Sequence, residues 1–386
     1  MKRLQKISIF NMPCPGREII IPFKDECNIL ILTGYNGVGK SRVLGALVEI
    51  LALAKDVNYT DGSENWLMQL EFDEGHIFRG VKVDSDGRPK KKGYEEKIEQ
   101  VLKTEDLLNA MYPKIIKAFI STRDTATYSS KSSDDESGAF CALYLKNPTN
   151  SKPKEFLKEV KVVGYINEKV VFGVKRPESD AIFDKNVVEG DLNKTLYILI
   201  KEFISTQAVK AGVEDDINKY VSEFLASANK NTFSKSDLGA VKKFVTEKMR
   251  NRQVVEEDSS IFSQHEMFIE INKIFALTSR NLTYTEGSLN IELKNGKIIP
   301  WPSLSRGEKT LLALFLLVFL NRSGALFVLD EPDLSLHMEW QKMILPGLIA
   351  LAPNCQFIVA THSPFLVMNT GSEQIVNMAK LVMEAT

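Results

Sequence analysis

One short glycine-rich segment has the residue types and spacing of a phosphate-binding loop. It fits the pattern G-x-x-x-x-G-K-[ST] at every position and reads Gly34-Tyr35-Asn36-Gly37-Val38-Gly39-Lys40-Ser41. Its glycines would let backbone N–H groups turn toward phosphate oxygens, and a following helix would present its positive end to them. Lys40 is expected to reach the β- and γ-phosphates of ATP, and the Ser41 hydroxyl to ligate Mg²⁺. The nucleotide-binding residues expected here are Gly34, Asn36, Gly37, Val38, Gly39, Lys40, Ser41 and Arg42.

Two adjacent carboxylates end an apolar run near the other end of the chain. Residues 325–329 are all apolar, and Asp330 and Glu331 follow them. Apolar strands that end in Asp-Glu are common, but a phosphate-binding loop needs a partner acid for its metal ion. We therefore expect Asp330 to hold Mg²⁺, often through water, and Glu331 to polarise the attacking water.

A histidine follows the next apolar run, which covers residues 356–360. The run ends in Thr361-His362-Ser363-Pro364. His362 stands where an imidazole would contact a γ-phosphate, although a single histidine after a strand is usually structural. The catalytic interpretation of His362, alongside Lys40 and Glu331, depends on the order of the neighbouring motifs.

A polar segment at the predicted start of an apolar helix has two interpretations. It reads Ser303-Leu304-Ser305-Arg306-Gly307-Glu308-Lys309-Thr310. Ser305 and the Gly307 N–H would suit an anion. The alternative is a capping box, in which Ser305 caps the helix and Glu308 reciprocates three residues later. Judged by this segment alone, the capping box is favoured.

The elements around these motifs predict strands that present their polar ends to one place. Residues 28–33 form a nearly unbroken apolar strand before the glycine loop, and helical spacing follows it. Residues 66–83 suggest antiparallel strands, residues 127–137 a loop, and residues 154–252 a largely helical region. Asn295-Gly296 predicts a hairpin turn. A helix is expected over residues 307–320, and another around 337–345 between the last two strands.

Bulk properties exclude several classes of protein. A chain of 386 residues can bury a substantial core without disulfides or metals, and its net charge of −1 gives no overall attraction to nucleic acid or membrane. Four separated cysteines suit free thiols in a reducing compartment. The most apolar run, residues 311–320, is about half the roughly 20 residues that span a bilayer. We expect a cytoplasmic protein without membrane contact.

Taken in order, the four motifs resemble the head of an ABC-type ATPase. The loop with Asn36 resembles the branch of structural-maintenance-of-chromosomes proteins, RecF and the overcoming-lysogenization-defect (OLD-like, AAA) ATPases. Residues 304–308 match the signature of that family, with Arg306 in place of its first glycine. Residues 330–337, which end in Leu336-His337, resemble the Walker B motif and D-loop of the overcoming-lysogenization-defect ATPases. Residues 361–364 match the switch-histidine segment.

The resemblance implies an α/β fold, with a P-loop NTPase core of mixed sheet, an antiparallel β subdomain and an inserted helical lobe. We expect residues 1–125 and 281–386 to form the ATPase domain and residues 126–280 to form the lobe. It also implies that ATP joins two subunits in a homodimer or higher homo-oligomer. Ser305, Gly307 and Glu308 of one subunit would then close over nucleotide bound by another, with Mg²⁺ on Ser41 and Asp330.

The expected function is that of a nucleotide switch. The separation of the motifs disfavours a transporter subunit, and the insertion lacks the heptads of a chromosome-organising arm. Residues 364–386 are too few for an appended nuclease domain, so we expect a separate effector, a nuclease or toxin, as in stand-alone ATPases of anti-phage systems. The alternatives are a RecF-like repair ATPase that clamps DNA and an ATP-fixed scaffold with negligible turnover.

Some family positions have no assignment in this sequence. The adenine-stacking residue is unassigned. Gln207, inside a helical pattern, is a poor candidate for the Q-loop glutamine, and residues 120–124, the better location, offer none. A basic cluster at Arg88 and Lys90, Lys91 and Lys92 predicts a solvated hairpin tip or, alternatively, a DNA contact.

Overall fold

The structure is a computed structural model that describes residues 2–10, 18–23, 27–54, 66–85, 126–130, 138–146, 159–166, 168–171, 190–210, 265–285, 288–368 and 374–384. Its strands are β1 (Leu4–Phe10), β2 (Glu18–Pro22), β3 (Ile29–Thr33), β4 (Trp66–Phe72), β5 (Ile77–Ser85), β6 (Ala126–Ser130), β7 (Gly138–Lys146), β8 (Lys161–Ile166), β9 (Lys169–Val170), β10 (Arg280–Thr285), β11 (Ser288–Leu293), β12 (Ile298–Pro300), β13 (Ala325–Asp330), β14 (Gln356–Ala360) and β15 (Ile375–Asn377). Its helices are α1 (Lys40–Ala54), α2 (Asp191–Lys210), α3 (Glu266–Phe275), α4 (Arg306–Leu320), α5 (Met338–Leu351), α6 (Pro364–Val367) and α7 (Met378–Glu384).

The chain divides into two compact units, each built from separate stretches of sequence. The first comprises Met1–Gly173, Asn321–Leu334 and Ala352–Thr386. The second comprises Val174–Leu320 and Ser335–Leu351. The glycine loop, the carboxylate pair and His362 therefore belong to the first unit, and the segment around Ser305 belongs to the second.

A six-stranded sheet in the order β15-β3-β14-β13-β8-β9 organises the first unit. All its neighbouring strands are parallel except β9, which runs antiparallel to β8. Strands β13 and β14 are buried along their whole lengths, as is usual in a parallel sheet covered on both faces. The carboxyl ends of parallel strands meet at one edge of a sheet, which is where α/β folds bind ligands. The order β3-β14-β13 thus brings together the three segments that follow these strands.

A second sheet of the first unit is antiparallel, in the order β2-β1-β4-β5-β7-β6. Helix α1 contacts strands of both sheets, and its buried face joins their cores. The buried Gln356 side chain also joins the sheets, because its amide makes two hydrogen bonds to the Leu4 backbone. Gln356 Oε1 accepts from Leu4 N at 2.8 Å, and Gln356 Nε2 donates to Leu4 O at 2.9 Å.

The second unit packs helices α2, α3 and α5 around α4 and adds a three-stranded antiparallel sheet, β10-β11-β12. Helix α4 is apolar on nearly all sides and is buried accordingly. The predicted hairpin turn at Asn295-Gly296 joins β11 to β12, and Gly296 has the positive φ of 76° that this turn requires.

The α/β class and the combination of a parallel-containing sheet with an antiparallel one are confirmed. The prediction of helix from residue 154 onward is wrong at Lys161–Ile166, which forms β8 and pairs in parallel with β13. Burial beside a central strand selects the extended conformation for this β-branched segment, whatever the helical pattern around it. The predicted loop at 127–137 is wrong at its start, since β6 covers Ala126–Ser130. Within the described residues, no helix combines the length and apolarity needed to cross a membrane.

Candidate nucleotide-binding site

The glycine loop joins β3 to the first turn of α1 and turns on residues with positive φ. Gly34 has φ 137°, which L side chains rarely adopt, and a Cβ there would be tightly placed, 3.1 Å from Val38 Cγ2 and 3.2 Å from Ala379 N. Val43 N donates to Gly39 O at 2.9 Å and begins the helix. The loop itself is exposed at residues 35–37. The exposed loop therefore stands directly before a helix amino terminus, where phosphate is favoured.

Lys40 lies at the centre of the loop with its ammonium group enclosed. Only 4% of the residue is exposed. Its Nζ donates to the carbonyls of Gly34 at 3.0 Å and Tyr35 at 3.3 Å, and lies 2.8 Å from His362 Nε2. Burial lowers the pKa of the Lys40 ammonium, and the nearby carboxylates of Glu331 and Asp330 oppose that shift.

Asp330 and Ser41 offer two oxygen ligands side by side. The Ser41 hydroxyl donates to Asp330 Oδ1 at 3.0 Å. Burial raises the pKa of the Asp330 carboxyl to about 6, although the hydrogen bond from Ser41 acts to lower it. A hydroxyl and a carboxylate are hard oxygen donors of the kind that Mg²⁺ takes beside a nucleotide. The donor set at this position therefore fits a magnesium ion.

Glu331 and His362 face each other at the ends of adjacent strands. His362 Nε2 lies 3.2 Å from Glu331 Oε1, and about a third of each side chain is exposed. A single imidazole nitrogen cannot accept from Lys40 and donate to Glu331 at once. Lys40 Nζ also lies 3.3 Å from His362 Nδ1, so which ring nitrogen accepts from the lysine depends on the tautomer. His362 thus stands between the loop lysine and the carboxylate.

The Glu331 backbone adopts an uncommon conformation. Its φ is +46°, although the next residue is a proline, which favours an extended backbone before it. A turn follows, in which the Leu334 N–H donates to Glu331 O at 3.1 Å. The Glu331 N–H donates to Ala360 O at 2.9 Å, across to the end of β14. Strained backbone of this kind persists where surrounding contacts hold it, often at functional sites.

The signature-like segment of the second unit contains the capping box. Glu308 Oε2 accepts from the Ser305 N–H at 2.7 Å and from the Ser305 hydroxyl at 2.6 Å. The Glu308 carboxylate is buried, and Arg280 of β10 forms an ion pair with its other oxygen. Ser305 and Arg306 are exposed, and Gly307 is buried. The residues expected to act in trans are thus held at the amino terminus of α4.

Sequence patterns did not predict the contacts of three residues, Arg280, Asp333 and Thr361. Arg280 pairs with Glu308, and Asp333 accepts a hydrogen bond from Thr361 at 2.7 Å. Asp333 and Thr361 do lie within the recognised motifs, but no local pattern assigns them a partner. No sequence motif includes Arg280.

Gln207 lies in α2. Residues 120–124 and the basic cluster at 88–92 lie outside the described residues.

Comparison with known proteins supports the class of protein that the four motifs predict. Residues 193–369 match the family described as "AAA domain, putative AbiEii toxin, Type IV TA system". "Retron Vc95 probable ATPase" of Vibrio cholerae serotype O1 biovar El Tor is 26% identical over 91% of this chain and 68% of its own length. "Retron Ec83 probable ATPase" of Escherichia coli is 23% identical over 93% of this chain and 68% of its own length.

Solved structures of Smc head domains are also similar. The Smc head domain of Pyrococcus furiosus, with an extended coiled coil and bound to the C-terminal domain of ScpA, aligns over 96% of this chain and 92% of that one. The TM-score is 0.44 and the sequence identity 16%. The family match and the two retron relatives confirm the prediction of an ATPase.

Proposed function

We propose, from the premise that this chain is a P-loop ATPase with an AAA domain, that it binds Mg·ATP in the first unit and hydrolyses it. One observation carries this proposal. Side chains from three separate segments converge at the edge of the parallel sheet. Ser41 Oγ lies 3.0 Å from Asp330, Lys40 Nζ lies 2.8 Å from His362, and His362 lies 3.2 Å from Glu331.

The chain's own groups divide the work of hydrolysis. Lys40 would leave the Gly34 and Tyr35 carbonyls and donate to β- and γ-phosphate oxygens. Glu331 would accept a proton from the attacking water, as general base. Once Lys40 turns to the phosphates, His362 with its proton on Nε2 would donate to a γ-phosphate oxygen or to Glu331. Ser41 and Asp330 would hold Mg²⁺, which when bound neutralises phosphate charge.

Dimerisation around nucleotide is the second part of the proposal. Ser305 and Arg306 are exposed at the amino terminus of α4, a site where backbone N–H groups favour an anion. Ser305, Gly307 and Glu308 of one subunit would complete the site on another. Loss of the γ-phosphate on hydrolysis would then remove a ligand that both subunits share and weaken the dimer.

A separate effector is the third part of the proposal. The relatives named probable retron ATPases support a role for this chain in a retron or similar anti-phage system. There, nucleotide state would control a partner nuclease or toxin. Copurification from the native host tests this: a nuclease or toxin supports the effector proposal, and a recombination factor or DNA contradicts it in favour of a DNA clamp.

Replacing Glu331 by Gln tests the catalytic proposal. The amide keeps the size of the side chain but cannot accept the proton, so we expect turnover to fall by about 10²-fold or more. ATP affinity should persist, and an ATP-bound dimer should accumulate in size-exclusion chromatography with light scattering. Glu292→Gln, an exposed glutamate of β11, is the matched control. Unchanged turnover in Glu331→Gln would remove Glu331 as the base.

A further inference from the structure

A buried hydrogen-bonded pair joins the turn after Glu331 to the residue before His362. The Thr361 hydroxyl donates to Asp333 Oδ1 at 2.7 Å. The same hydroxyl accepts from the Ser363 N–H at 2.9 Å. Thr361 has no exposed surface, and Asp333 is 7% exposed. One threonine oxygen therefore connects the carboxylate turn with the backbone on both sides of His362.

The Glu331 turn and Thr361 are each attached to the sheet by a backbone hydrogen bond. Glu331 has the positive φ described above, and its N–H donates to Ala360 O of β14 at 2.9 Å. Thr361 itself is anchored to the sheet, since its N–H donates to Leu32 O at 3.1 Å. The Asp333–Thr361 hydrogen bond thus connects a strained turn to a residue that the sheet already holds.

The choice of side chains indicates a positional role. Burial raises the pKa of the Asp333 carboxyl, so the charge there is unfavourable for stability. An apolar residue would avoid that penalty but would leave the turn without its side-chain attachment. Strained conformations need surrounding contacts that over-determine them. The pair supplies a contact of that kind two residues after Glu331 and one residue before His362.

We propose that Asp333 and Thr361 are positioning residues, which hold the Glu331 carboxylate and the His362 imidazole at the spacing used for ATP hydrolysis. Neither needs to touch nucleotide. Asp333 acts through the turn that carries Glu331, and Thr361 acts through the backbone of His362 and Ser363. This inference rests on the proposed roles of Glu331 and His362, and it assigns them a shared support.

Turnover in a set of paired variants tests the proposal. Thr361→Val keeps the shape but removes the hydroxyl, and Asp333→Ala removes the acceptor. Because small misplacements of catalytic groups are costly, each should lower kcat about 10- to 100-fold. The KM for ATP and the ATP affinity should change little, since Lys40, Ser41 and Asp330 are untouched. Thr361→Ser and Asp333→Asn keep the donor and the acceptor and should retain most of the turnover.

The double variant and a control separate positioning from general damage. Thr361→Val with Asp333→Ala should be no slower than the slower single variant, because both changes remove the same Asp333–Thr361 hydrogen bond. Thr195→Val, which changes a buried threonine of α2, should leave kcat unchanged. Multiplicative losses in the double variant, or failure of Thr361→Ser to retain turnover, would overturn the proposal.

Amide hydrogen exchange gives a readout that does not depend on turnover. Thr361→Val should lose protection at the Glu331 and Ser363 N–H groups and Asp333→Ala at the Glu331 N–H, while Thr361→Ser should keep protection at both. Unchanged protection in both disruptive variants would refute the support that we infer. Glu331→Gln assayed in parallel distinguishes the two failures. If it hydrolyses ATP normally, the catalytic proposal fails, and the exchange result alone decides whether the pair holds the turn.

Discussion

The Asp330 carboxylate lies where burial opposes its charge. Only 8% of the residue is exposed, and burial raises the pKa of its carboxyl to about 6. In the unfolded chain the same carboxyl would titrate near 3.9. The native state therefore binds more protons than the unfolded state between these values, and its stability falls as pH rises through that window. At neutral pH the ionised carboxylate is a cost to the nucleotide-free protein, which a bound cation would offset.

Asp330→Asn should remove this cost. The amide keeps an acceptor for Ser41 and carries no charge, so the nucleotide-free variant should be more stable than wild type at pH 7.5, by roughly 3 kcal/mol. The advantage should shrink as pH falls below 6, to roughly a third at pH 4.5, and vanish only below about pH 3.9. Thermal midpoints of both proteins at the two pH values measure it, with Glu292→Gln as the exposed control. A stability difference that does not depend on pH would contradict the prediction.

Helix α4 carries Gly307 in its first turn, where the lack of a side chain allows close packing against the segment before α5. A Cβ on Gly307 would lie 2.6 Å from Ser335 O, a backbone atom. Ser335 has φ +73°, so its own backbone is in the left-handed region. The backbone of Gly307, in the first turn of α4, thus packs directly against the backbone of Ser335, before α5. Close packing therefore favours glycine at position 307, in addition to the contact with nucleotide that we propose for this residue.

Gly307→Ala should destabilise the protein, although alanine usually stabilises helical positions by about 1 kcal/mol over glycine. Overpacking against a fixed carbonyl typically costs about 1 to 3 kcal/mol, which reverses the sign. Chemical denaturation compared with that of Arg306→Ala, an exposed change at the same helix start, measures the effect. A variant as stable as wild type would show that the segment before α5 can yield.

At the scale of the whole molecule, the proposed dimer would build each nucleotide site from two chains. Lys40, Ser41, Asp330, Glu331 and His362 come from the first unit, and Ser305, Gly307 and Glu308 from the second. In a twofold-symmetric dimer around nucleotide, each site would combine the first unit of one chain with the second unit of the other. Defects in the two sets of residues should then complement each other in a mixed dimer.

Mixing two inactive variants tests this arrangement. Lys40→Ala should disable nucleotide binding, and Ser305→Arg places bulk and charge at an exposed position of the segment proposed to act in trans. Each alone should show little turnover. An equimolar mixture should recover roughly a quarter of the wild-type rate, since half the dimers are mixed and each has one complete site. A mixture no more active than the separate variants would contradict sharing of the site between chains.

Contiguous residues were enough to predict much of this protein. The glycine loop between β3 and α1, the carboxylates that end β13, and the capping box of Ser305 and Glu308 all depend on neighbours within a few positions. Local sequence determines such features, because turn conformation, helix capping and strand burial act over short separations. The chemistry of phosphate binding could therefore be predicted before any fold was known.

Only the tertiary structure shows how these segments are positioned relative to each other. The sequence does not show that β14 lies between β3 and β13, an order that places His362 between Lys40 and Glu331. Nor does it show the positive φ of Glu331, the Asp333–Thr361 pair, the Arg280–Glu308 pair or the strand at Lys161–Ile166. These features arise from contacts between residues distant in the chain, where burial and pairing override local preference. Local sequence thus determined which groups are proposed to do the chemistry, and long-range packing determined their geometry.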